Sequence, residues 1–153
     1  MKFIADIMVG KLARYLRMAG YDVLYDNNAS DDRILKTALK TDRVVLTRDT
    51  LMLTRKEFKN GTIKYLFIKN DSLKNQLAQV KSELKIPLKP NLIRCIECNQ
   101  KLMIVKKEDV KDKVPPYVFK TQKNFMYCKN CEKYYWRGTH YQNIKNIFLS
   151  LEK

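Results

Sequence analysis

At 153 residues, 45% of them hydrophobic and 31% charged, the chain has enough apolar side chains to build a core, which excludes general disorder. Its longest apolar runs, such as Tyr65-Leu66-Phe67-Ile68, are strand length rather than membrane length, and Asp6 falls too early for a secretory signal, so a cytoplasmic setting is expected. Lys and Arg outnumber Asp and Glu by 31 to 16, a net charge of +15 with the one His neutral, and that surplus points to nucleic acid first and an anionic membrane face second, or else to a merely lysine-rich surface.

The first 85 residues alternate short apolar runs with helical spacing. Residues 2–5 read as a strand. Leu12, Ala13, Leu16 and Ala19 recur at helical intervals, and Gly20 marks the stop. Val23, Leu24 and Tyr25 form a second strand. Ser30 suits the cap of a second helix with a buried stripe of Ile34, Leu35, Ala38 and Leu39. Val44, Val45 and Leu46 are the third strand, and a short helix follows Asp49. Residues 65–68 are the fourth, and Asp71 or Ser72 caps a helix carrying Leu73, Leu77, Val80 and Leu84.

Strand then helix, repeated four times, predicts an α/β fold: a parallel sheet with helices on both faces and every strand ending on one edge. Pro87 and Pro90 make a linker that divides the chain into residues 1–88 and 89–153. The second part holds two Cys-x-x-Cys pairs, a strand-like piece at residues 102–105 and an extended Val114-Pro115-Pro116-Tyr117. A final helix capped by Thr139 follows, with Ile144, Ile147, Phe148 and Leu151 on one side.

The acids fall at telling places. Asp6 follows the first strand, Asp31 and Asp32 open the second helix, Asp49 follows the third strand, and Asp71 follows the fourth. In a parallel sheet these share the edge where open α/β folds bind ligands. Converging carboxylates repel unless a hard cation joins them, and oxygen-only ligands suit magnesium or manganese. Two such ions about 3.5–4 Å apart activate water and stabilise both oxygens of a phosphodiester displacement. The competing roles are helix caps for Asp31, Asp49 and Asp71; a phosphoacceptor domain gathers acids at the same edge. Lys11, Arg14 and Arg17 form a drifting stripe on the first helix, and Arg48 adjoins Asp49; all four are candidates for phosphate binding, or else a solvated face.

Several of these residues form a pattern: Asp6-x-x-x-Gly10-Lys11-Leu12-Ala13-Arg14-x-Leu16-Arg17, Gly20-Tyr21-Asp22, Asp31-Asp32 and Leu46-Thr47-Arg48-Asp49. The pattern continues through Cys95-x-x-Cys98, Val114 to Val118, Cys128-x-x-Cys131 and Tyr135-Trp136-x-Gly138-Thr139-His140. It resembles a PIN-like RNase family named for its occurrence at the C-terminus of the nematode exonuclease Mut-seven. The resemblance covers nearly the whole chain. It implies a PIN-like α/β domain joined to a zinc ribbon and a divalent-metal-dependent ribonuclease activity. By position it implies an acidic centre of Asp6, Asp32 and Asp49, with Asp31 beside them. Lysine-rich stretches before the first Cys pair and between the pairs depart from the family.

Four thiolates in two knuckles, Cys95/Cys98 and Cys128/Cys131, suit a closed structural zinc site, with a redox dithiol as the minor alternative. Tyr127, Tyr134, Tyr135 and Trp136 flank the second knuckle among Lys129, Lys133 and Arg137. They either stack bases or build the ribbon's core. His140, the only histidine, is a candidate acid or ligand, or a packed helix-start residue. The expectation is a ribonuclease acting on RNA, with zinc for structure and magnesium or manganese for catalysis. Its rivals are a non-catalytic RNA-binding zinc ribbon and a phosphoacceptor domain, and a homodimer is one assembly the sequence leaves open.

Overall fold

A computed structural model describes residues 1–152. Four parallel strands, β1 (Lys2–Ala5), β2 (Asp22–Tyr25), β3 (Val44–Thr47) and β4 (Tyr65–Phe67), form a sheet in the order β2-β1-β3-β4. Between them lie α1 (Gly10–Met18), α2 (Asp31–Thr41) and α3 (Lys56–Lys59), and α4 (Leu73–Leu84) follows β4.

The chain steps from β1 to β2 and then back across β1 to β3, so right-handed crossovers place α1 and α2 on opposite faces. The alternation of side chains within each strand matches this division. Phe3 and Ala5 point into a core with Leu12, Leu16, Leu77 and Val80, whereas Ile4 and Val45 meet Ile34, Leu35 and Phe58 on the other face. Leu39, expected in the stripe of α2, is 49% exposed, because that second core closes on Ile34, Leu35 and Ala38 without it.

The linker is pinned rather than loose. Asn91 donates its N–H to Met18 O (2.9 Å) and its side-chain amide to Ala19 O (3.0 Å), satisfying carbonyls at the end of α1. Gly20 ends that helix at φ +88°, and a Cβ there would meet the Asn91 side chain at 2.6 Å, so glycine is required twice over.

A second, antiparallel sheet has the order β5 (Met103–Val105), β6 (Phe125–Cys128), β7 (Lys133–Tyr135). Pro116 opens a short helix, α5 (Pro116–Thr121), where an extended segment was expected; proline's fixed φ and missing N–H suit the first helical position. In α6 (Thr139–Ser150) the capping position is Gly138 and Thr139 is the first helical residue. The buried face of α6, Ile144 and Phe148, lies in the core of the first sheet beside Leu77 and Val80, so the chain returns from the ribbon to the domain it left. Among the described residues no helix is long and apolar enough to cross a membrane.

Candidate functional site

Asp6 extends the β1 ladder by one residue: its N–H donates to Leu46 O at 3.0 Å, and the residue is only 2% exposed. Such a buried carboxylate needs hydrogen-bond donors. Its Oδ1 accepts the Met8 N–H at 2.7 Å, and its Oδ2 accepts the Thr47 hydroxyl. Thr47 Oγ1 in turn accepts the Asp49 N–H at 2.9 Å. One buried hydroxyl at the end of β3 thereby ties the acid after β1 to the acid after β3, across the point where the strand order reverses. Asp49 Oδ1 accepts the N–H groups of Leu51 (2.9 Å) and Met52 (3.2 Å), turning the chain into the 3₁₀ turn Met52–Thr54.

The adjacent pair at the start of α2 divides. Ser30 is the cap, accepting the Arg33 N–H at 3.2 Å, so neither Asp31 nor Asp32 is needed for it. Asp32 is exposed and pairs with Arg55 at 2.5 Å. Asp31 is half-buried; burial first, and then the charges of Asp49 and Asp6, push its pKa above the ordinary carboxylate value against the opposing Arg55. Asp31 is thus held above the ordinary carboxylate range by burial together with Asp49 and Asp6. Asp71 is exposed on the loop after β4, where Ser72 caps α4 by accepting the Asn75 N–H at 3.2 Å.

The basic candidates separate too. Lys11 is exposed near the acidic edge. Arg14 makes a two-point ion pair with Glu97 of the first knuckle, Nη2 to Oε1 at 2.9 Å. Arg17, expected on the phosphate-facing stripe, is corrected: it is 3% exposed, with Nε donating to Val23 O (2.9 Å) and Nη1 to Ile96 O (3.0 Å) and Glu97 O (3.2 Å). Its position at i+6 from Lys11 carries it round the helix and under the knuckle. Arg48 is half-buried beside Asp49, and its Nη1 is a buried donor with no hydrogen-bond partner among the described residues. Sequence reading missed Thr47 as a bridge and Arg55 as a partner of the acids, although Thr47 stood inside the Leu46-Thr47-Arg48-Asp49 pattern.

The four cysteines converge, all sulfurs within 4.8 Å of one another; among the described residues they alone form so tight a set of ligand atoms. The separations Cys95–Cys131 (3.8 Å) and Cys98–Cys128 (3.5 Å) approach the ~3.8 Å edge of a tetrahedron with Zn–S of about 2.3 Å. The Cys131 N–H donates to Cys128 Sγ at 3.3 Å. The Tyr135 hydroxyl lies 3.1 Å from Cys95 Sγ, placed to donate to that sulfur as a thiolate. These donors suit one metal ion such as zinc.

A parallel sheet with carboxylates at its C-terminal edge, carrying a ribbon whose four cysteines could hold a metal, defines an α/β protein with a small cysteine-ribbon appendage. The Mut7-C RNAse domain matches residues 1–148, and the protein belongs to that family, whose function is of ribonuclease type. No curated protein and no solved structure matches the chain.

Proposed function

We propose that the protein is a divalent-metal-dependent ribonuclease whose acidic centre is Asp6, Asp31 and Asp49, with zinc held by Cys95, Cys98, Cys128 and Cys131. The observation that carries this reading is the Thr47 hydroxyl joining Asp6 to Asp49, two acids whose charges also reach half-buried Asp31. Asp31 takes the part that the family pattern suggested for Asp32, and Asp32 instead holds Arg55.

Carboxylate oxygens suit a hard ion such as magnesium or manganese, which keeps several waters. Magnesium or manganese bound there supplies an activated water and offsets charge on the phosphate. The chain's own part is orientation. Thr47 and the Met8 N–H hold Asp6 in one rotamer, and the backbone N–H groups of Leu51 and Met52 hold Asp49. Arg48, whose buried donor lacks a partner among the described residues, and exposed Lys11 take phosphate oxygens. RNA is the substrate in a reducing, cytoplasmic setting that leaves the thiols for zinc.

The test is cleavage of labelled RNA by wild type, Asp6→Asn, Asp31→Asn and Asp32→Asn, with magnesium, with manganese and with neither ion added. A strong chelator is avoided because it would also strip the cysteines. Asp6→Asn and Asp31→Asn should lose metal-dependent cutting while Asp32→Asn keeps most of it. Equal cutting in all four proteins would sink the assignment, and binding without cutting by wild type would leave a non-catalytic RNA-binding ribbon.

A further inference from the structure

The +15 chain carries three adjoining hollows that run from the acidic edge over the zinc ribbon. The first, of about 460 Å³, begins at Ile7 and Met8, immediately after Asp6, and passes Lys11 and Arg14 to reach Ile96 and Glu97 of the first knuckle. Those last two residues also wall the second, of about 360 Å³, which continues past Lys113 and Lys133 to Tyr134, Tyr135 and Trp136. That aromatic run in turn walls the third, of about 340 Å³, closed by Tyr117 and His140.

The chemistry changes along this path. At the acidic end Ile7 (55% exposed) and Met8 (57% exposed) give an apolar rim beside a carboxylate. In the middle Lys11, Arg14, Lys113 and Lys133 outnumber Glu97 and Glu132. At the far end the walls are aromatic. Tyr117 is 69% exposed, on a helix that has Val118 for its buried contact, so its ring is not needed for the ribbon's core. Trp136, by contrast, packs on Phe125 at 6.3 Å between ring centroids, and Tyr135 is engaged with Cys95. The cleft therefore has a fixed aromatic floor and one large ring on its rim with no structural duty.

Basic side chains followed by unspent aromatic surface suit a strand whose phosphates and bases are both accessible, which an RNA duplex with its bases stacked inside does not offer. We propose that the zinc ribbon is a single-strand RNA guide: unpaired nucleobases stack in the Tyr117–Trp136–His140 cleft while the same strand runs along the hollows to the acidic edge. The inference rests on the ribonuclease reading for where the strand leads, but not for whether it binds.

The experiment measures affinity for oligouridylates of about 4 to about 16 nucleotides, by fluorescence anisotropy, in an Asp6→Asn background that leaves the RNA whole. Affinity should step up at the length that first reaches the cleft. Tyr117→Ala should remove that step, weakening the longer oligomers about tenfold, whereas Tyr117→Phe, which keeps the ring, should retain it. His140→Ala, also at an exposed position, is the second variant and should flatten the same step. Duplex RNA of equal length should bind Tyr117→Ala and its parent alike. No step, a step that survives both alanine variants, or an equal loss on duplex would overturn the guide even if the wild type cuts RNA. If the wild type cuts nothing but the step and its loss are seen, the guide stands and the nuclease reading falls.

Discussion

Asn99, at the end of the first knuckle, accepts the N–H of Val23 in β2 through its side-chain oxygen at 2.9 Å, and both residues are buried. β2 is the outer strand of the parallel sheet, and its free edge needs such a partner. The Asn99 amide also donates to Asp22 Oδ1 at 2.7 Å, and Arg17 donates to the Val23 carbonyl. The knuckle thus finishes the sheet as well as offering two of the four cysteine sulfurs.

Asn99→Ala should cost about 1–3 kcal/mol for the buried groups left without partners. The residue sits at φ 73°, so alanine adds backbone strain; Asn99→Gly relieves that part alone. Thermal unfolding of the zinc-loaded protein should rank wild type above the glycine variant and the alanine variant lowest. Equal midpoints would mean that the knuckle does not hold the edge strand.

Lys11 and Arg17 should fail in different ways. Lys11→Ala should lower the dependence of log affinity on log salt by about one unit, the loss of one phosphate contact. Arg17→Lys cannot span three carbonyls with one ammonium, so it should reduce the unfolding midpoint and leave the salt slope unchanged. A reduced slope for Arg17→Lys would return that residue to the substrate face.

Asp31 carries a pH signature. Burial and the charges of Asp49 and Asp6 raise its pKa, so the folded chain holds a proton there to higher pH than the unfolded chain. Stability from this group is present at low pH and declines as pH rises through the interval between the ordinary and the raised value. Without divalent ion at neutral pH, Asp31→Asn should therefore unfold at a higher temperature than wild type, with the difference vanishing in acid. Added manganese should stabilise wild type more than the variant. Melting curves with and without manganese at both pH values check each part.

Zinc affinity should depend on Tyr135. Tyr135→Phe removes the hydroxyl beside Cys95 Sγ and should weaken zinc about tenfold, read by competition with a chromophoric chelator. Removing the metal altogether should lower the midpoint of the whole protein, because the knuckle also supplies Asn99 to β2 and two carbonyls to Arg17.

Local chemistry was legible in the sequence by itself. Alternating apolar residues, Ser30 as a cap, Gly20 as a stop and paired cysteines act over a few residues, and they specified the parallel sheet, its covering helices, the metal knuckles and the edge on which Asp6 and Asp49 lie. Long-range partnership was not legible. Asp31 and Asp32 are equivalent as letters, and only the roll of α2 against the sheet half-buries the first and sends the second to Arg55. Arg17 reads like Lys11 until the knuckle, some 80 residues later, settles on it with two carbonyls that need donors. Spacing along a helix sets which side chains share a face, but whether that face meets water or another part of the chain is decided by packing between segments that no local pattern relates.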